Sequence, residues 1–123
     1  MNNLAYNTYA QNNIGIESPE KLIEMLYEGT LRFNMQAIRS IENSDIEKRT
    51  YWLNRSMSIF IELIQTLDYS HGDISHYLSG LYNYQLKLLM EANLKNDSKK
   101  VEEVNGVIRG LLEAWRETTH LSE

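Results

Sequence analysis

One proline stands in the whole chain, Pro19. Proline removes a backbone donor and clashes with the preceding turn, so it breaks helix interiors. Everything after Pro19 is free of that constraint, and long helices are allowed to the end of the chain. Ser18 precedes it. A serine N-cap followed by proline at the first helical position is a strong helix start, because the missing N–H would have had no partner there.

Hydrophobic spacing then divides the chain into four helices. The first is expected over 19–42, where Leu22, Leu26, Gly29, Phe33 and Ala37 recur every three to four residues. Asn43 breaks it. Ser44 with Glu47 three residues on reads as a capping box opening the second helix. Its stripe is Ile46, Leu53, Met57, Phe60, Ile64 and Leu67. It ends near Asp68, and Ser70, His71 and Gly72 make a turn. Asp73 is the expected cap of the third helix, whose stripe is Ile74, Leu78, Leu81, Leu88 and Ala92, with Gln85 as a polar exception. After a polar break from Asn93 to Ser98, the fourth helix carries Val101, Val104, Ile108, Leu111 and Trp115. No segment alternates with the period of a strand. Similar lengths and short connections force consecutive helices antiparallel. The expected fold is all-α, an antiparallel up-down four-helix bundle over 18–120, preceded by an arm over 1–17.

The chemistry excluded is as informative. Without cysteine there is no disulfide framework, thiolate zinc site or cysteine nucleophile. The net charge of −5, with 12 basic against 17 acidic residues, is wrong for nucleic acid or an anionic membrane surface. No basic residue precedes Lys21 and no apolar run approaches a membrane span, so neither a signal peptide nor membrane insertion is expected. The expectation is a cytoplasmic protein without a cofactor. No Gly-rich phosphate loop or Ser-His-Asp arrangement can be assembled, so catalysis is not expected. Di-iron bundles need Glu-x-x-His pairs on two helices. Glu117 with His120 and Asp73 with His76 have such spacing, but they sit at helix ends and read as surface and capping residues.

What remains is surplus apolar surface. The first helix adds Ile23, Tyr27, Leu31 and Ile38 beyond its stripe. The second adds Trp52, Ile59 and Leu63, and the third adds Tyr82, Leu86 and Leu89 on one flank with Tyr77 and Tyr84 on the other. Either the flanks widen the core, or they form a groove for an amphipathic partner. The expected groove residues are Trp52, Ile59, Leu63, Tyr82, Leu86 and Leu89. The arm mixes five asparagines with Leu4, Tyr6, Tyr9, Ile14 and Ile16, more apolar content than a solvated tail needs. It is expected to fold back over the groove.

In order along the chain come Tyr9-Ala10-Gln11, then Ser18-Pro19-Glu20-Lys21-Leu22-Ile23-Glu24-Met25-Leu26-Tyr27-Glu28-Gly29. Leu67-Asp68, Leu81-Tyr82-Asn83-Tyr84, Ala92-Asn93 and Leu112-Glu113-Ala114-Trp115 follow. Together these resemble the FliS family, the flagellin-specific chaperones of the bacterial flagellar export system. Glu17 and Ile16 depart from the small residue and threonine usual in that family. The resemblance implies a non-catalytic bundle that binds the C-terminal segment of flagellin. Such a chaperone prevents polymerisation in the cytoplasm and delivers its cargo to the export gate. It also implies a gate-docking role for the arm, at Tyr6, Tyr9 and Ile14. A regulatory protein or co-chaperone sharing the surface stays open, as does a structural bundle that self-associates through its apolar stripe.

Overall fold

A computed structural model describes residues 18–119, with the side chain of His71 not described. Four α-helices and one short 3-10 turn account for nearly all of it. Helix α1 is Pro19–Glu42, α2 is Ile46–Gln65, α3 is Asp73–Lys95 and α4 is Ser98–Thr119, with a 3-10 turn at Tyr69–His71. Each α-helix is about 30–36 Å long at 1.5 Å per residue, so the four span the same height. Each packs on its sequence neighbours, and α4 closes back on α1. This is the expected antiparallel four-helix bundle. The arm expected over 1–17 lies outside the described residues.

Local chemistry sets the helix ends. The Ser18 side chain accepts a hydrogen bond from the Lys21 N–H at 3.1 Å, with Pro19 opening α1. The capping box expected at Ser44 is not formed. Ser44 instead takes a left-handed conformation with φ 55° and closes α1. Its N–H donates to Ile41 O, and the Asp45 N–H donates to Ser40 O at 2.8 Å. That paired arrangement satisfies the last carbonyls of α1. The cap of α2 is therefore Asp45, whose side chain accepts from Lys48 N–H. Asp73 is likewise not a cap but the first residue of α3. The cap position falls to Gly72, at φ 80° and ψ −142°, a conformation open to glycine and closed to most side chains. Asn96, left-handed at φ 54°, ends α3.

Phe60, Leu26, Leu53, Leu63, Leu89 and Ile108 lie fully buried at the centre. Several residues expected in the core differ. Phe33 is only half-buried, and Leu81 lies at the edge of the bundle. Ile46 and Ile74, assigned to core stripes, are exposed at 64% and 57%. Helix α3 turns Tyr82, Gln85 and Leu89 inward in place of Leu81. Apolar residues surround this helix on several sides, so its pattern names no single inward face.

A polar layer crosses mid-height, with one buried residue from each helix: Asn34, Ser56, Gln85 and Asn105. Asn34 Nδ2 donates to Asn105 Oδ1 at 2.9 Å, tying α1 to α4. Glu24 is also buried, on the side of α1 that meets α4.

Candidate functional site

At the end of the bundle where α1 begins, the four helices do not close. The space between them is an apolar groove of about 580 Å³. Ile23 and Tyr27 come from α1, and Leu67 from the link after α2. Ile74, Leu78 and Tyr82 come from α3, and Leu111, Ala114 and Trp115 from α4. The opening has a local cause. The link from α2 to α3 is held by Ser75 Oγ donating to Asp68 O at 2.6 Å and by the 3-10 turn. In the first turn of α3 Ser75 is buried against the link, while Ile74 is 57% exposed at the rim of the groove. Trp115 forms part of the opposite wall, and its Nε1–H donates to Glu20 O at 2.9 Å. That bond fixes the end of α4 against the start of α1.

The floor of the groove carries a paired hydroxyl. Tyr27 and Tyr82 meet at 2.7 Å between their Oη atoms, across the bundle from α1 to α3. Burial pushes both phenols above their ordinary pKa, so both stay neutral hydrogen-bonding groups. Tyr82 also packs on Phe60, with ring centroids 6.1 Å apart. An apolar wall with a few polar atoms at its base suits an amphipathic segment.

Beside the groove, α1 and α4 are joined by ions. Glu24 accepts from Lys21 Nζ at 2.6 Å and from Arg116 Nε at 2.8 Å, and Arg116 Nη2 also reaches Glu28. The Lys21 ammonium first, and then the Arg116 guanidinium, hold the Glu24 carboxyl below its ordinary pKa.

The six residues expected to form one groove do not lie on one surface. Leu63 and Leu89 are fully buried, Tyr82 is buried at the groove floor, and Ile59 is 6% exposed. Flanks that looked surplus on isolated helices are core once their neighbours are in place. Trp52 and Leu86 are half-buried. Trp52 stacks on Phe33 of α1, far from the groove. Leu67, Leu78, Leu111 and Trp115, assigned to core stripes, line the open groove instead. A signal did exist: Ile23 and Tyr27 stood beyond the first helix's stripe, at the level of these residues. Tyr6, Tyr9 and Ile14 lie outside the described residues. So does His120 of the Glu117 pair, and no group of three metal-ligating side chains converges among the described residues. The His76 ring rests on Tyr69, with centroids 4.9 Å apart. No described helix is long and apolar enough to cross a membrane.

Comparison with known proteins gives the groove a context. The FliS family, described as flagellar protein FliS, matches residues 1–122. A flagellar secretion chaperone FliS of Campylobacter jejuni is 60% identical over 117 residues, covering 94% of this chain and 91% of the relative. The flagellar secretion chaperone FliS of Bacillus subtilis is 34% identical, covering 91% of this chain and 84% of the relative. That of Salmonella typhimurium is 34% identical, covering 81% and 76%.

Proposed function

The chain belongs to the FliS family of flagellar proteins, and from that premise we propose that it is a cytoplasmic, non-catalytic chaperone for the C-terminal segment of flagellin. It would keep that segment from polymerising and deliver it to the export gate. The observation that carries the reading is the apolar groove at the open end of the bundle. An amphipathic cargo segment folds its apolar side chains onto Ile23, Leu67, Ile74, Leu78, Leu111 and Trp115. Of the residues expected from sequence, Tyr82 forms the floor. Leu86 is a further contact for cargo that runs on around the bundle, whereas Trp52, stacked on Phe33 at the α1–α2 face, lies outside that path. Ile59, Leu63 and Leu89 act from beneath, by fixing the helices that carry the contacts.

The arm belongs to the same proposal. It joins α1 at Ser18, and the groove opens beside Glu20 and Ile23. About 17 residues of extended chain can span up to some 55 Å. In the absence of cargo the arm lies on these apolar residues. Cargo displaces it and frees Tyr6, Tyr9 and Ile14 for the export gate. Hydrogen exchange over residues 2–16 tests this: protection that disappears when flagellin peptide is added is expected. Free-chain exchange in both states removes the switch.

Titration calorimetry with a flagellin C-terminal peptide tests the main reading. Binding coupled to folding should bury about 1,000–3,000 Å² and give a negative heat-capacity change. Ile74→Asp is the decisive variant, because Ile74 is 57% exposed and lines the groove. It should weaken the peptide at least about tenfold, about 1.4 kcal/mol, with little change in stability. Unchanged binding in Ile74→Asp would move the site elsewhere.

A further inference from the structure

A second surface, on the outer face between α1 and α2, combines aromatic rings with unbalanced positive charge. Phe33 and Trp52 stack with centroids 5.8 Å apart. Tyr51, 52% exposed, meets Trp52 edge-on at 4.9 Å. The Arg55 guanidinium lies over Phe33 at 4.8 Å and over Tyr51 at 5.6 Å. Beside Trp52 is a shallow cavity of about 310 Å³, edged by Gln36, Arg39, Ser40, Asn43, Asp45 and Lys48. Farther along the same seam Arg32 lies against Gly29, where α1 and α2 come close.

Four of the chain's 12 basic residues therefore share this face: Arg32, Arg39, Lys48 and Arg55. Among the described residues none of the four forms an ion pair, whereas Lys21, Lys100 and Arg116 all do. Asp45, the acid at the cavity, is engaged by the Lys48 N–H as the cap of α2. Two more acids share the face: Glu28, about one turn before Arg32 and already held by Arg116, and Glu62, about two turns beyond Arg55. In a protein of net charge −5, a face with this excess of cations gains by meeting negative charge.

We propose that the α1–α2 face is a docking surface for an acidic amphipathic segment of another protein, distinct from the apolar groove. Charge complementarity selects the acidic residues. The Phe33–Trp52–Tyr51 rings receive the segment's apolar side, and the seam between two antiparallel helices gives a track along which a helix can lie. The chain's own arm is a poor occupant: residues 1–17 hold a single charged side chain, Glu17. A nucleic acid would also meet the cations, and the test includes one.

The protein reports on its two surfaces separately, because its two tryptophans are Trp52 and Trp115, one at each site. In full-length Trp115→Phe, tryptophan emission comes from Trp52 alone. The probe is a synthetic peptide of about 18 residues, with leucines along one helical face and Asp and Glu on the other. The controls are the same peptide with Lys in place of the acids, and a single-stranded oligonucleotide. Saturable change in Trp52 emission with the acidic peptide is expected, weakening with salt. Arg39→Glu with Arg55→Glu should weaken it at least about tenfold. Both residues are exposed, and Arg55→Gln, expected to weaken it severalfold, serves if the double variant does not fold. Equal binding by the Lys peptide or the charge-reversed protein overturns the proposal. Tighter binding of the oligonucleotide, or a response seen only at Trp115 in Trp52→Phe, overturns it too. Flagellin peptide read at Trp115 is a separate result, so failure at one site leaves the other standing.

Discussion

Glu24 has its side chain 4% exposed with two cations on it, and its chemistry contributes to how the protein responds to acid. Its folded pKa is below the ordinary 4.5. As pH falls, the unfolded chain takes up the proton first. The stabilisation is therefore complete at neutral pH and is lost as pH falls below about 4.5 through the folded pKa. Glu24→Gln should cost about 1–3 kcal/mol at pH 7, the range for hydrogen bonds to a charged group. As pH falls from 4.5 through the folded pKa, its denaturation midpoints should converge on those of the parent. The Asn34–Asn105 pair makes a different prediction. Asn105→Leu leaves the Asn34 amide donor buried without its acceptor and should cost about 1–3 kcal/mol. Adding Asn34→Leu should recover most of that, because removing both polar partners can be nearly neutral. A double-mutant cycle by urea unfolding measures the coupling. Neither Asn34 nor Glu24 was legible as buried from sequence. Periodicity scores polar residues as outward, and each has a partner side chain about 70 to 90 positions later.

At the scale of the element, helix ends are governed by single backbone conformations. The start of α1 was legible because Ser18 and Pro19 act locally. The start of α2 was not, because two candidate caps, Ser44 and Asp45, stand side by side. Which one caps depends on how α1 terminates. Ser44 adopts a left-handed conformation that costs a non-glycine residue about 1 kcal/mol. Ser44→Gly should therefore raise the thermal midpoint, with a gain of up to about 1 kcal/mol offset in part by the entropy of the unfolded glycine. At Gly29 the backbone of α1 lies close to a side chain of α2. A methyl there would meet Ile59 Cδ1 at 3.2 Å. Gly29→Val should destabilise by about 1–3 kcal/mol through overpacking, and circular dichroism melts would show it.

For the whole molecule, Phe60 tests the core. It is fully buried and touches the Tyr82 ring. Phe60→Ala should cost about 3–5 kcal/mol through lost transfer energy and a residual cavity. The loss should extend to cargo binding, because the groove floor rests on this ring. Ile74→Asp at the rim should do the reverse and spare stability. That pair of variants separates what holds the bundle together from what its open end does.

Sequence alone determined the helices, their lengths and their antiparallel order. Those depend on proline placement, local caps and a repeat visible within each segment. It also carried the family, through residues spread along almost the whole chain. Tertiary structure decided which apolar residues are core and which are site. Tyr82 and Leu78 lie four residues apart on α3, yet one is buried and the other borders an opening. The difference is the neighbours: Tyr82 packs on Phe60 of α2 and pairs with Tyr27 of α1, while Leu78, a turn nearer the start of α3, borders the groove. A helical wheel gives each side chain a direction but not a distance to the next helix, and burial depends on that distance.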